Sequence, residues 1–351
     1  MGIVGEVTAT PENIRVLLDS RPEGFPSAGN FRVDAAPLPV PGDGEVLLRT
    51  IYLSLDPYMR GRMLAAASYA SSVPIGGVME GGTVSEVVES RDASLAPGDI
   101  VLSHVGWQSY GVQPAADLRR LDPSLAPISS ALGVLGMPGF TAYAGLLEIG
   151  RPQAGETVVV AAAAGPVGST VGQIARLKGA RAVGIAGGPE KVAYLRELGF
   201  DAALDHRSPT FEAELAAAAP DGIDVYFENV GGRVWDAVLP LLNTYARVPI
   251  CGIISRYSQT EPADGPDRSA QLMQTFLAKR MTLRGFLQAE FVDSHHEQFQ
   301  RDVAAWVANG DIHFREDVVD GIENAPDAFI GLLKGESRGK VLVRVGADPT
   351  A

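Results

Sequence analysis

A two-domain α/β protein, a β-rich part joined to a doubly wound parallel sheet, is the fold class this sequence predicts. Three observations lead there. The chain has 351 residues, too many for one ordinary core. Residues 31–135 hold runs of β-branched and aromatic residues separated by proline–glycine turns. From about residue 136, short apolar runs alternate with helical patterns, as strands and crossover helices do in a parallel sheet.

The strands of the first part are "EVLLRTIYLSL" (45–55), "GGTVSEVVES" (81–90) and "DIVLSHVGWQSYGV" (99–112), punctuated by "PGDG" (41–44) and "APGD" (96–99). In the second part "TVVVAA" (157–162) is of strand length. "VGSTVGQIARLKG" (167–179) puts Val167, Val171, Ile174 and Ala175 on one helical face and closes on a glycine. "RAVGIA" (181–186) is the next strand, and "EKVAYLRELG" (190–199) the next glycine-closed helix. "AALDH" (202–206), "IDVYFENVGG" (223–232) and "ARVPICGII" (246–254) are further strands. Ser294 and Glu297 read as a capping box opening a helix with Phe299, Val303, Trp306 and Val307 on one side. The closing "GKVLVRV" (339–345) is a strand expected to return to the first domain.

Composition narrows the function. Net charge is −13 with no basic block, which argues against nucleic-acid and anionic-membrane partners. No apolar stretch approaches the ~18 residues of a membrane span. The single cysteine, Cys251, rules out an intrachain disulfide and nearly excludes a cysteine-based zinc site. The N-terminus has no basic segment followed by an apolar one, so no secretory signal is read and a cytoplasmic enzyme is expected.

"AAGPVG" (163–168) is a phosphate-binding turn of the G-x-G-x-x-G kind, with Ala163 in the first glycine's place and Gly165 and Gly168 in the other two. It follows a strand and opens a helix, whose N-terminus offers N–H groups and a positive dipole end to a pyrophosphate. Pro166 suits the first helical turn. A carboxylate for a ribose 2′-hydroxyl is expected roughly 20 residues later. There the chain has "AGGPEK" (186–191) instead: two glycines, Gly187 and Gly188, then Lys191. A 2′-phosphate wants cations, and Lys191 and Arg207 are the nearest. NADP(H) is therefore expected over NAD(H), against the alternative that Lys191 is a solvated helix residue. Asp205 is the dissenting charge.

These stretches, with "LSLDPYMRGRM" (53–63), "SRPEGFP" (20–26), "GMPGFTAY" (136–143), "DVYFENVGG" (224–232), "CGIISRY" (251–257) and "GK" (339–340), resemble the zinc-independent medium-chain dehydrogenase/reductases. Within them the chain is most similar to the leukotriene B4 dehydrogenase / prostaglandin reductase / plant double-bond reductase family, from about Asn13 to Val345. The resemblance implies a GroES-like β domain from both chain ends (1–135 and 312–351) around a Rossmann domain (136–311), and a homodimer joined sheet edge to sheet edge, with "ARVPICGII" offered as the edge. It implies hydride transfer from NADPH to the β-carbon of an α,β-unsaturated aldehyde or ketone. By position it implies cofactor contacts from Thr141, Gly165, Pro166, Val167, Gly168, Gly187, Lys191, Asn229, Tyr257, Phe286 and Leu287. Two departures stand out. Asp205-His206-Arg207 replaces the family's Asn-Tyr-Lys, so His206 would take the tyrosine's place. Ser337 stands where the family has an asparagine.

Reducing a conjugated C=C needs a positioned hydride, a stabilised enolate oxygen and a proton. A phenol can serve the last two. Tyr257, beyond a strand's carboxyl end, is the first candidate; the alternative is that it only fixes the ribose. Tyr58 is the second, as a pocket residue or as part of a structural turn with Arg60 and Arg62. Trp107 and Tyr52 line the cleft or pack the core. His104, His295 and His296 lack the converging ligands a metal needs. Loop 256–270 is a lid or a variable surface loop. Quinone reduction with the same cofactor, and a non-catalytic NADPH-binding role, are the competing functions; a zinc alcohol dehydrogenase is disfavoured by the single cysteine.

Overall fold

The computed structural model describes residues 12–65, 70–260 and 266–351. The N-terminal stretch read for a secretory signal and residues 261–265 of the proposed lid fall outside them, in whole or in large part.

The second half of the chain builds a six-stranded, wholly parallel sheet. In space its strands run Ala202–Asp205, Arg181–Ala186, Thr157–Val160, Ile223–Phe227, Leu242–Ile250 and Thr282–Gly285. The order therefore reverses between Thr157–Val160 and Ile223–Phe227, and the carboxyl ends of these two strands flank the crevice where doubly wound sheets bind ligands. Val158, Val159 and Val160 are fully buried, as a central strand covered on both faces requires. The helix Pro166–Leu177 lays Val171, Ile174 and Ala175 against the sheet, and Gly179 beyond it has a φ of 77°.

The first half and the C-terminus share a seven-stranded sheet. Glu45–Ser54 pairs antiparallel with Thr83–Ser90, with Tyr110–Pro114 and with the C-terminal strand Lys340–Arg344. The returning strand is thus seated where it was expected. A two-stranded ribbon, Asn13–Leu18 with Phe31–Ala36, covers one side. Trp107 stacks on Phe31 and meets Phe329 edge-on, with no exposed area, and Tyr52 is buried with its hydroxyl on Asp348. Both belong to the core.

Three local expectations are corrected. Residues 99–112 do not form one strand: Ile100–Ser103 and Tyr110–Pro114 are separated by a turn at Gly106, whose φ is 82°. The helix around Phe299 starts at Val292, so Ser294 lies inside it and its hydroxyl donates to the Phe291 carbonyl rather than capping. The strand offered as the dimer edge, Leu242–Ile250, is interior; Thr282–Gly285 lies outside it at the sheet edge. Apolar character marked burial between two strands, which is the opposite of an edge.

Candidate active site

The phosphate turn forms as its glycines require. Gly165 caps the helix and Pro166 is its first residue. A Cβ on Gly168 would lie 2.5 Å from the Ala162 carbonyl oxygen and 2.7 Å from the Ala163 Cα, so only glycine lets helix and strand approach this closely. Left-handed backbone occurs at Ala162, with a φ of 50°, and Ala163 beside it is fully buried. Val167, half-buried, packs on the core beneath the turn.

At the end of the next strand the expected acid is absent, and the structure shows what the nearby one does. Asp205 Oδ1 accepts the N–H of Gly188 at 3.0 Å and of Arg207 at 2.9 Å. Burial pushes this carboxyl up, but the two N–H groups and then the neighbouring cations hold it below the usual carboxylate range. Its charge is spent on the backbone. His206 and Arg207 lie over Gly187, where a Cβ would stand 2.8 Å from His206 Nε2 and 3.0 Å from Arg207 Nε. Burial first, then the Arg207 charge, push the His206 imidazole down, with Arg233 and Lys191 adding to the effect against Asp205. Lys191 Nζ donates to the Gly335 carbonyl at 2.7 Å, and burial and then Arg207 lower its pKa. Beside it Glu190 pairs with Arg338 at 3.1 Å. The loop carrying Gly335, half-buried Ser337 and Arg338 thus sits against the lysine. The structure gathers Gly187, Lys191, His206 and Arg207 into one cationic corner.

At the crevice, Asn229 Nδ2 donates to the Ala161 carbonyl at 2.8 Å and ties the two central strand ends together. Glu228, only 4% exposed, escaped the sequence reading. Its Oε1 accepts the N–H groups of Val230 (2.7 Å) and Gly231 (2.9 Å) and the Tyr226 hydroxyl (3.0 Å). Burial raises its pKa, partly offset by those donors. The signal was an acid placed three residues before a Gly-Gly pair at a strand end. Cys251 lies next to this carboxylate; burial, then Glu228, push its thiol up to about 12. It is held as a neutral thiol.

Tyr257 follows a short turn, Ile254–Arg256, and folds back so that its Oη accepts the Ile253 N–H at 3.4 Å. A Cβ on Gly252 would meet that Oη at 2.7 Å and the Asn229 carbonyl oxygen at 3.7 Å. Gly252 therefore makes room for the phenol, and Tyr257 and Asn229 converge on it. Phe286 is buried against Phe227 and Phe291, and Leu287 is exposed with its N–H already donated to Glu290 Oε1 at 2.8 Å. Thr141, on the helix Met137–Ala144, donates its hydroxyl to the Met137 carbonyl.

Tyr58 comes from the other domain, at the start of the short helix Met59–Arg62, with the Arg62 guanidinium 5.4 Å from its ring centre. That helix meets the Tyr257 segment through Gly24: Arg60 Nη2 donates to the Gly24 carbonyl at 2.6 Å, and a Cβ on Gly24 would lie 3.6 Å from the Ser258 carbonyl oxygen. His295 and His296 are half-buried and packed, while His104 is exposed. His295 pairs with Glu148 at 3.0 Å and His296 packs edge-on against Phe140. Among the described residues no three His, Cys, Asp or Glu side chains converge as metal ligands, and no helix is long and apolar enough to cross a membrane.

A reversed parallel sheet with a glycine turn, and a β domain closing over its crevice, define a two-domain oxidoreductase of the dinucleotide-binding class. Residues 15–121 match the N-terminal domain of oxidoreductases and residues 166–309 the family described as zinc-binding dehydrogenases. The chain is 56% identical to the NADPH-dependent curcumin reductase of Escherichia coli, over 96% of this chain and 98% of that one. It is 42% identical to prostaglandin reductase 1 of Rattus norvegicus, over 92% and 96%. The crystal structure of CurA in complex with NADPH from Vibrio vulnificus superposes with a TM-score of 0.93 at 50% identity, covering 95% of this chain and all of that one. The chain belongs to the zinc-independent medium-chain dehydrogenase/reductase family, in the branch that contains the curcumin, prostaglandin and alkenal reductases.

Proposed function

We propose that this protein reduces the C=C bond of α,β-unsaturated ketones and aldehydes. It is an NADPH-dependent oxidoreductase, as its relatives of 38–56% identity are named. The observation that carries the cofactor reading is the cationic corner. Asp205 is occupied by backbone N–H groups, while His206 and Arg207 lie against Gly187 and Lys191 stands within reach of the Arg207 charge, three cationic or protonatable groups suited to a phosphate.

The residues divide the work. Gly165, Pro166, Val167 and Gly168 would hold the pyrophosphate at the helix N-terminus. Gly187, Lys191, His206 and Arg207 would hold the 2′-phosphate. Thr141, Asn229, Phe286 and Leu287 would bound the nicotinamide half, and Ser337, on the loop against Lys191, would reach the cofactor from the phosphate corner. Bound there, NADPH supplies the hydride for the β-carbon. Tyr257 donates a hydrogen bond to the carbonyl oxygen as it gains enolate character, and Tyr58 forms the facing wall of the acceptor pocket. The C=C π bond is lost, two C–H bonds form, and the α-carbon takes its proton from solvent or the Tyr257 phenol. This reading divides the chain into 1–135 with 312–351, and 136–311.

We also propose a cytoplasmic homodimer. The helix Ser269–Lys279 has no buried residue and exposes Met273 and Leu277, and the sheet edge Thr282–Gly285 follows it in the chain.

The test follows loss of reduced-nicotinamide absorbance, with NADPH and NADH each offered a small enone, an alkenal and a quinone. Enone turnover with NADPH well above NADH is expected. Quinone turnover alone would make this a quinone reductase, and cofactor binding without turnover would remove the catalytic reading. Tyr257→Phe is expected to lower kcat by about 100-fold; a rise in KM for NADPH alone would reduce the phenol to a ribose support.

A further inference from the structure

A cleft of about 190 Å³ opens between the edge strand Arg119–Arg120 of the seven-stranded sheet, the helical turn Ile128–Leu132 and the helix Val292–Ala308. None of the residues lining it is among the cofactor and acceptor residues named above. Its wall is apolar: Leu121, Leu125, Pro127, Ile128 and Leu135. Ile128 is buried, whereas Leu125 lines the cleft while 78% exposed and so stands at its mouth, bare to water.

Arg119 is the half-buried cation of this cleft. Its Nη1 donates to Gln300 Oε1 at 3.5 Å, and Gln300 is itself fixed by its Nε2 bond to the Leu135 carbonyl at 2.9 Å. Nε and Nη2 have no hydrogen-bond partner among the described residues, yet they are not sealed from the surface as the spare nitrogens of Arg60 are. Those two nitrogens form one edge of the planar guanidinium, the edge that meets a carboxylate through two parallel bonds. Burial lowers the pKa of Arg119 and no acid acts against it. The two other charged side chains of the cleft are engaged: Arg120 Nη2 donates to Asp99 Oδ2 at 2.7 Å, and Asp122 Oδ1 accepts the Ser124 N–H at 2.9 Å and its hydroxyl at 2.6 Å. The Arg119 charge instead reaches His296, one helical turn before Gln300, whose imidazole is pushed down by burial and then by that charge.

We propose that this cleft is a second small-molecule site, separate from the reducing centre, that binds a short saturated monocarboxylate: the carboxylate lies on the Nε–Nη2 edge of Arg119 and the chain along the apolar wall. The anion supplies the missing counter-charge and two acceptor oxygens for the two spare N–H groups. The chain removes Leu125 and its neighbours from water. A single guanidinium edge beside aliphatic side chains suits a carboxylate with an apolar body better than a small, fully hydrated anion. Arg119 and the wall come from the β-rich part of the chain and Gln300 from the helix whose Phe299 packs on Phe140, so an occupant touches both. The ligand needs no double bond and is not turned over, so the site does not rest on the enone reductase reading.

The experiment titrates octanoate into the full-length protein saturated with NADP⁺, by calorimetry, beside octanamide and inorganic phosphate. Octanamide keeps the chain without the charge, and phosphate the charge without the chain. Octanoate is expected to bind about tenfold or more tightly than either. Arg119→Met should weaken octanoate by about tenfold or more and leave NADP⁺ affinity unchanged. Ala126→Trp, which fills the cleft from its lining, should have the same two effects. No heat of octanoate binding, octanamide or phosphate binding as tightly, or octanoate affinity unchanged in the variants each overturns the proposal. If Arg119→Met does not fold, Ala126→Trp decides. Octanoate seated in the acceptor pocket would survive both substitutions, and that result too overturns the second site.

Discussion

Two lysines, one in each domain, have left water to different ends. Lys340 lies inside the β domain, 2% exposed, with its ammonium on Asp56 and on the Leu55 carbonyl. Asp56 is itself bonded by the Ser54 hydroxyl. Lys191 is half-buried at the cationic corner, with a carbonyl as its partner and Arg207 for company. Burial lowers the pKa of both, but in Lys340 a bonded carboxylate works against that, whereas in Lys191 a second cation adds to it, with Asp317 opposing more weakly. A compensated charge closes a structure; an under-compensated one is ready for a ligand.

The largest effect should come from breaking the compensated pair. Asp56→Ala leaves the Lys340 ammonium buried and unpaired and should cost about 3–5 kcal/mol in denaturant unfolding. Combining Asp56→Leu with Lys340→Met should restore most of it. An unfolding midpoint unmoved by Asp56→Ala would show that the pair does not hold the sheet.

The second effect is on binding. Lys191→Ala should weaken NADPH by about 10- to 100-fold, as loss of a charge-assisted contact predicts, and NADH by about twofold. Titration of nicotinamide fluorescence reads both. Equal losses for the two cofactors would end the lysine's role as a phosphate clamp and make the two lysines alike.

The smallest effect is the pH dependence of the same corner. His206, with a pKa below the ordinary imidazole value, is neutral at pH 7 and charges only as pH falls. Its folded pKa is depressed, so the unfolded chain binds the proton first. The residue therefore subtracts stability as pH drops from the unfolded value toward the folded one. A bound phosphate favours the charged ring, so the NADPH-to-NADH affinity ratio should rise, by a few-fold, between about pH 8 and about pH 5.5. His206→Asn should flatten that rise, apart from the phosphate's own titration near pH ~6, which both proteins share. A rise of equal size in both proteins would take the imidazole out of the site.

The phosphate end of the crevice was legible because local chain geometry makes it. Gly165 and Gly168 are read from spacing, and the missing acid after "RAVGIA" pointed to Lys191. Asp205 shows the limit of that reading: nothing in "LDHR" says that its carboxylate is spent on the N–H groups of Gly188 and Arg207. The reacting end was less legible. Tyr257 and Asn229 meet only because Gly252 leaves room, and nothing in "DPYMRGRM" says that Arg60 is buried with the Gly24 carbonyl as its hydrogen-bond partner. The apolar strand Leu242–Ile250 was read as an edge because apolarity reports burial without saying what does the burying.

By itself, then, the sequence determined the strand–helix alternation, the phosphate turn and the absence of an acid for a 2′-hydroxyl. Each is set by residues within a few positions of one another, where backbone sterics and side-chain period act locally. The tertiary structure alone decided which charges are compensated. Glu80 for Arg62, Asp56 for Lys340, the Gly335 carbonyl for Lys191 and, among the described residues, a lone carbonyl for Arg60 are matters of long-range packing. The cost of a buried charge depends on what lies within a few ångströms in space, whatever its distance along the chain.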